Sequence, residues 1–273
     1  MIKDITLGQF FPGNTVIHKL DPRMKIILTV AYIVSIFLAK NLWSFIAVVA
    51  SALFLVIVSR ISFKTILKSM KPLIFVLVFT TFFNLFWTTG DVLLISFWKI
   101  NIYLEGVVFS VMMILRITSL LIGTTVLLTY TTSPIMLTDA LERLLSPLRL
   151  IKLPVHEFSM MMTIALRFIP TLVEETDKIM SAQKARGADF ESGSLMRRAK
   201  ALIPILIPLF ISAFRRADDL ATAMECRCYR GGDGRTRMTK LKLAGRDFAA
   251  IVLMAAFITG MVMLNIVPCP ITV

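Results

Sequence analysis

Long apolar runs separated by short charged segments fill the first half of the chain and return near its end. The runs lie at residues 24–39, 42–58, 72–87, 106–131 and 248–267. A helix of about 20 apolar residues crosses the ~30 Å hydrocarbon layer of a membrane, and flanking residues can extend the shorter runs. The pattern therefore predicts an all-α membrane protein with about five transmembrane helices.

Charged residues between the runs predict the side of the membrane that each loop faces. Arg60, Lys64, Lys68 and Lys71 occupy one short loop that has no acidic residue. Lysine and arginine concentrate in cytoplasmic loops, whereas the nearly neutral segment 88–105 is expected outside. The last residues of the chain carry no charge. We expect a multi-pass protein of the cell membrane with a cytoplasmic N-terminus and an external C-terminus.

Between the fourth and fifth runs the pattern becomes amphipathic. Residues 136–150 and 155–184 each place apolar and charged side chains on opposite helical faces. We expect the two apolar faces to contact a membrane-embedded partner or one another. Their positions are Leu137, Leu141, Leu144 and Leu148 on the first segment and Met160, Ile164, Phe168 and Leu172 on the second.

A further apolar run at 201–214 has basic residues at both ends. It is short for a span, and a crossing would leave one basic cluster outside, so we expect a helix that lies under the membrane. The chain then divides into an N-terminal region with four transmembrane helices (1–131), a cytoplasmic coupling domain of amphipathic helices (132–245) and the last transmembrane helix with its external C-terminus (246–273).

The coupling domain carries the same short motif, an arginine between two small residues, at two predicted helix ends. These sites, called here the first and second arginine tips, are Ala185-Arg186-Gly187 and Cys226-Arg227-Cys228. Gly187 and Gly231 suit the left-handed residue that ends many helices, and a cation in the last turn suits the helix dipole. Small neighbours leave each guanidinium free to enter a groove. Two solvated arginines are the alternative, but the repetition favours a partner with two similar pockets.

Composition narrows the class of function. The 273 residues are 57% hydrophobic, yet the net charge is +13. A basic balance is typical of nucleic-acid binders, but the apolar segments require lipid, so we assign the charge to cytoplasmic loops and expect no nucleic acid. Three cysteines give no disulfide framework, and no histidine or second cysteine pair accompanies Cys226 and Cys228 as a metal site would need.

Motifs of catalysis and cofactor binding are absent from the sequence. It has no Gly-rich loop ending in Gly-Lys-Ser/Thr, no Gly-x-Ser-x-Gly and no His-Glu-x-x-His. Glu174, Glu175 and Asp177 precede the first tip and are interpreted as a solvated helix face. We expect no catalytic, cofactor-binding or metal-binding residue, and hence no enzyme.

The fourth predicted span contains a charged residue, Arg116, and the predicted spans contain no acidic residue. A charge near the membrane centre costs at least about 2.5 kcal/mol, so Arg116 is expected to pack within the helix bundle or to contact a partner, with snorkelling to the membrane surface as the alternative. A secondary carrier would show inverted repeats and intramembrane acids. Their absence disfavours that function.

Several motifs resemble those of a known family, the transmembrane T component of energy-coupling factor (ECF) transporters, which are importers of the ABC class. Besides the second tip, they are Pro12-Gly13-Asn14, Leu20-Asp21-Pro22-Arg23-Met24-Lys25, Ala165-Leu166-Arg167-Phe168-Ile169-Pro170 and Gln183-Lys184-Ala185-Arg186-Gly187-Ala188. The resemblance extends over about residues 11–232. It departs at Cys226, where alanine is commoner in the family, but cysteine is also small.

The resemblance implies a scaffold without catalytic activity of its own. A membrane region would hold a separate substrate-binding S component, and cytoplasmic helices would rest on two ATP-binding cassette ATPases. Arg186 and Arg227 would each enter the groove of one ATPase. The similarity favours the type that serves vitamin-binding subunits; a dedicated cobalt or nickel importer is the alternative. Alternatives of other classes are a stand-alone secondary carrier and a membrane-anchored interaction protein.

Overall fold

Helices make up most of the part of the chain that the structure describes. The computed structural model describes residues 10–89, 92–97, 100–190, 194–231, 241 and 243–267. These residues divide into two units. The membrane unit comprises the described residues in 10–133 and 241–267, and the tip unit comprises those in 134–231.

The membrane unit contains six α-helices and a short antiparallel strand pair. They are α1 (Pro22–Leu38), α2 (Leu42–Ser59), α3 (Phe63–Met70), α4 (Ile74–Trp87), β1 (Leu93–Phe97), β2 (Ile100–Tyr103), α5 (Leu104–Thr124) and α9 (Gly245–Ile266), with a 3-10 turn at Lys71–Leu73 and a π-helical stretch at Thr125–Tyr130. The tip unit contains α6 (Pro134–Leu144), a 3-10 stretch at Ser146–Ile151, α7 (Val155–Ala185) and α8 (Leu195–Cys226). Leu93 pairs with Tyr103, and Phe97 with Ile100.

The predicted all-α membrane protein is confirmed. Four helical runs among the described residues are long and apolar enough to cross a membrane, and they are Leu42–Ser59, Phe63–Trp87, Leu104–Tyr130 and Gly245–Ile266. Helix α1, the predicted first span, has 17 residues, about 26 Å. The predicted third span begins too late, because α3 continues through the 3-10 turn into α4.

The core of the membrane unit lies where α1, α2 and α5 meet around Tyr32, which is 1% exposed. The ring packs directly on Gly123, where a Cβ would lie 2.0 Å from Cε1 of Tyr32. The Tyr32 hydroxyl donates to the Ser119 carbonyl at 3.5 Å and accepts from the Ser51 hydroxyl at 3.4 Å. One tyrosine thereby connects three helices.

Both ends of α1 are fixed by side chains. At the start, Asp21 caps the helix as predicted: its Oδ1 accepts from the Arg23 backbone N–H at 2.9 Å, and Pro22 occupies the first turn. At the other end, the Asn265 side chain of α9 accepts from the Ser44 hydroxyl at 2.7 Å and donates to the Leu38 carbonyl at 2.6 Å. We call the second set the Asn265 latch.

Arg116 packs within the membrane unit, in agreement with one of the two expectations for it. Its Nη2 donates to the Ala39 carbonyl at 3.0 Å, and its guanidinium carbon lies 5.2 Å from the centre of the Phe45 ring. A carbonyl dipole and an aromatic face both attract a cation. These contacts partly offset the cost of its charge.

In the tip unit, the structure corrects the bounds of the helix that was predicted at residues 201–214. Residues 201–214 are the middle of α8, a continuous helix of 32 residues. Pro204 and Pro208 each remove one backbone hydrogen bond, but they lie within it. Its long exposed surface leaves the freed carbonyls open to other donors, which explains why the prolines do not end it.

Candidate functional site: two arginine-tipped helix ends

The first arginine tip is the C-terminus of α7. Arg186 is the helix cap, with φ −86° and ψ 7°, and Gly187 follows at φ +86°. The Gly187 N–H donates to the Lys184 carbonyl at 3.0 Å, and the Ala188 N–H donates to the Gln183 carbonyl at 3.0 Å. This pair of bonds defines a Schellman motif, which satisfies the last carbonyls of the helix.

The second arginine tip ends α8 in the same way. Arg227 is the cap, with φ −93° and ψ 16°, and Cys228 follows at φ +57°. The Cys228 N–H donates to the Glu225 carbonyl at 2.8 Å, and the Tyr229 N–H donates to the Met224 carbonyl at 3.0 Å. Both arginines therefore occupy the same position of the same motif.

The structure corrects the residue predicted to end the second helix. Gly231 does have a positive φ, +89°, but it lies three residues beyond Cys228 and outside the two closing hydrogen bonds. The left-handed residue of the motif is Cys228. A side chain there costs about 1–2 kcal/mol relative to a right-handed conformation, and the two hydrogen bonds hold it in place.

All six residues of the two tips are exposed. Neither Arg186 nor Arg227 has an ion pair or a side-chain hydrogen bond with the residues that the structure describes. Each guanidinium therefore stands at the end of a helix about 45–50 Å long, with its five donors available.

An ion pair joins α7 to α8 behind the tips. Arg216 Nη2 lies 3.0 Å from Glu175 Oε2, and Arg216 Nε donates to the Ser212 hydroxyl at 3.4 Å. The pKa of Glu175 is lowered below its ordinary value, chiefly by a hydrogen bond from Ser212 and to a smaller extent by one from Arg216. Each partner lies 11 residues before the arginine tip of its own helix, 175 before 186 and 216 before 227. The contact therefore joins the two helices at matching distances from their ends.

This pair was not predicted, because Glu175 was interpreted as part of a solvated helix face. The matching 11-residue spacing of opposite charges was the available signal. This spacing could be recognised only by comparing the residues that precede Arg186 with those that precede Arg227.

The two predicted contact faces are less open than expected. Leu141 is exposed, whereas the other seven residues are half-buried. Helices α6 and α7 contact each other: the Ser159 hydroxyl donates to the Thr138 carbonyl at 3.3 Å, and His156 Nδ1 lies 2.9 Å from Glu142 Oε1. These bonds join residues outside the eight predicted positions, so contact of the faces with one another or with a partner stays a prediction.

Exposed apolar side chains of the tip unit lie mainly at other positions. On α6, α7 and the segment between them they include Met136, Leu150, Ile151, Phe158, Met161 and Met162. On α8 they include Leu202, Ile203, Leu206, Ile207, Phe210, Ile211 and Phe214. Side chains this apolar and this exposed are typical of surfaces that meet lipid or another protein.

Comparison with known proteins gives concordant matches over most of the chain. The family model CbiQ, described as "Cobalt transport protein", matches residues 13–238. Three similar relatives each carry the name "Energy-coupling factor transporter transmembrane protein EcfT". The Clostridium kluyveri protein is 55% identical over 92% of this chain and 93% of its own length. The Ruminiclostridium cellulolyticum protein is 52% identical over 98% and 99%, and the Thermosediminibacter oceani protein is 49% identical over 96% and 98%.

Proposed function

This chain belongs to the CbiQ family as the transmembrane T component of an energy-coupling factor transporter, and from that premise we propose that it couples ATP hydrolysis by partner subunits to vitamin uptake. The chain itself is the non-catalytic subunit. The observation that carries the proposal is the pair of arginine tips, which repeat one backbone motif around one exposed cation.

Two tips of equal geometry favour two partners of equal shape. Two copies, or two close relatives, of one ATPase present two similar grooves. A guanidinium offers a planar fork of donors that matches a carboxylate in two hydrogen bonds, so the grooves should be lined by acidic residues. ATP binding would draw the ATPases together, and the helices would carry that motion away from the tips.

The apolar surfaces of the tip unit are proposed to contact the substrate-binding S component. The predicted residues are Leu137, Leu141, Leu144, Leu148, Met160, Ile164, Phe168 and Leu172, of which Leu141 is exposed. Engineered cysteines at Leu141 and at Met161, also exposed, should cross-link to cysteines in the S component. Absence of cross-links in every nucleotide state would assign these surfaces to lipid.

The orientation follows from the proposed partners. ATPases of this class work in the cytoplasm, so the tips must face that side, with the N-terminus inside and the C-terminus outside. Tagging both termini and testing protease access in right-side-out vesicles measures this directly. Cleavage near Arg186 from outside would exclude the proposal.

The second candidate is a dedicated cobalt or nickel importer, which the description of the matching family favours. The tips serve both types equally. Purification of the complex from native membranes distinguishes them, because a vitamin importer should carry a vitamin-binding S component and a metal importer should show uptake of radiolabelled Co²⁺ or Ni²⁺.

The test of coupling is the double variant Arg186→Ala with Arg227→Ala. Removing one partner of an interfacial, hydrogen-bonded charge pair costs about 2–5 kcal/mol, which weakens association roughly 30- to several-thousand-fold. We expect normal membrane levels, loss of co-purifying ATPases and loss of ATP-driven uptake. Arg198→Ala with Arg215→Ala is the matched control, because it removes the same charge from exposed positions of α8. Wild-type stoichiometry and uptake in the double tip variant would refute the proposal.

A further inference from the structure

The first turn of α1 holds the segment by which the chain leaves the membrane unit. Lys25 Nζ donates to the Thr131 carbonyl at 2.7 Å and reaches the Thr131 hydroxyl at 3.3 Å, the Thr132 hydroxyl at 3.2 Å and the His18 carbonyl at 3.3 Å. Residues 131–133, called here the exit segment, are the last before the tip unit begins. One ammonium group thus fixes the exit segment.

The same turn holds the segment by which the chain returns. Asp247 Oδ1 accepts from the Asp21 backbone N–H at 2.9 Å, while its Oδ2 accepts from the Ala244 N–H at 2.7 Å. Arg23 Nη2 donates to the Leu241 carbonyl at 3.4 Å and pairs with Asp21 at 2.9 Å. Residue 241 and residues 243–247, called here the return segment, are thereby fixed to the residues that start α1.

Burial makes these contacts obligatory. Lys25 is 1% exposed and Asp247 2% exposed, and Asp21, Thr131 and Thr132 are also buried. Charges removed from water are tolerated only when hydrogen bonds replace those to solvent. The cluster meets this requirement: two cations and two carboxylates give it no net charge, and the Lys25 ammonium is surrounded by oxygen atoms.

We propose that Asp21, Arg23, Lys25 and Asp247 form a clamp, called here the α1 clamp, that positions both connections to the tip unit. This proposal rests on the proposed coupling function. Motion delivered to the arginine tips and passed along the chain enters the membrane unit at the exit and return segments, and motion is lost if either segment is slack. Fixing both to one rigid helical turn makes them move together.

The Asn265 latch provides a control of the same chemical kind. It also joins α1 and α2 to α9 through half-buried hydrogen bonds, but it lies at the opposite end of α1 from the exit and return segments. Loss of the latch should reduce stability without slackening the exit or return segment. Loss of the clamp should slacken the exit and return segments and thereby reduce coupling.

The first experiment measures uptake per ATP hydrolysed in reconstituted complexes. Lys25→Met removes the ammonium at nearly constant volume, Thr132→Val removes one acceptor, and Asp247→Asn keeps one acceptor; Asn265→Ala is the control. Residues along a coupling network change coupling by roughly 2- to 30-fold. We expect a fall of that size in the Lys25, Thr132 and Asp247 variants, with ATPases still bound at wild-type stoichiometry, and no fall in the control. Unchanged uptake per ATP, or a fall in proportion to lost ATPase binding, would overturn the proposal.

The second experiment does not depend on the partners. Hydrogen–deuterium exchange in the isolated full chain reports slackening of the exit and return segments separately. If one turn holds both, Lys25→Met should speed exchange at residues 243–247, and Asp247→Asn should speed exchange at residues 131–133. Faster exchange confined to each variant's own segment overturns the clamp. If wild-type protein binds no ATPase, the coupling function fails, and this measurement still decides the clamp.

Discussion

The second arginine tip carries a backbone cost that a single substitution should remove. Cys228 holds φ +57° inside the Schellman motif, where Gly187 occupies the equivalent position of the first tip. An L-residue in this region costs about 1–2 kcal/mol, and glycine loses about 0.5–1 kcal/mol more chain entropy on folding. Cys228→Gly should therefore stabilise the tip by about 0.5–1 kcal/mol.

The reverse substitution, Gly187→Cys, should destabilise the first tip by the same amount. A Cβ at Gly187 would meet nothing within 4 Å, so the effect is conformational and includes no clash. The expected change in local opening is about two- to fivefold in each direction. Hydrogen–deuterium exchange of the closing amides reports it, at residues 187 and 188 for the first tip and at residues 228 and 229 for the second.

Gly231→Ala separates this account from the simpler sequence interpretation. Gly231 also has a positive φ and open space around it, but it makes neither closing bond of the tip. Exchange at residues 224–229 should therefore be unchanged in this variant. The assignment of Cys228 as the left-handed residue would be refuted by either of two results. One is a two- to fivefold faster exchange of these amides in Gly231→Ala, and the other is faster exchange in Cys228→Gly.

Two further predictions concern packing and charge. Gly123→Ala brings a methyl group to 2.0 Å from Tyr32 and should destabilise the membrane unit by about 1–3 kcal/mol, measured by thermal unfolding in detergent against Gly260→Ala, where nothing lies within 4 Å; equal melting temperatures would contradict it. Glu175→Arg and Arg216→Glu should each reduce coupling, and the double variant should restore it. Because the pKa of Glu175 is lowered in the folded protein, the pair's contribution is present above the ordinary pKa of 4.5 and is lost as pH falls through the lower, folded value.

The helices of the membrane unit were predictable because lipid leaves few alternatives to a long apolar helix. Charge patterning and the cap at Asp21 also follow rules that act over a few residues. Prediction failed where local signals competed. The apolar run at 201–214, with basic residues at both ends, was interpreted as a short helix, yet α8 extends beyond it in both directions. Gly231 read as the terminating glycine, although Cys228 ends the motif.

Contacts between distant residues could not be predicted in the same way. Asp21 and Asp247 are separated by 226 positions, and Lys25 and Thr131 by 106. No periodicity or propensity connects such residues; the fold does. The resemblance drew attention to the segment around Asp21 as a motif, but only the packed structure shows that its polar side chains hold the exit and return segments.

The tips and the clamp place opposite demands on arginine and lysine. At the tips, Arg186 and Arg227 are exposed and make no ion pair or side-chain hydrogen bond with the described part of the chain, so their donors are available to the proposed partner. In the clamp, Lys25 is buried and its donors are engaged. A cation that binds a partner contributes to affinity through hydrogen bonds that form only in the complex. The α1 clamp, in contrast, must keep its hydrogen bonds in every state. Variants of the tips should therefore change ATPase affinity, and variants of the clamp should change uptake per ATP at constant affinity, so measuring both quantities on one set of complexes separates the two roles.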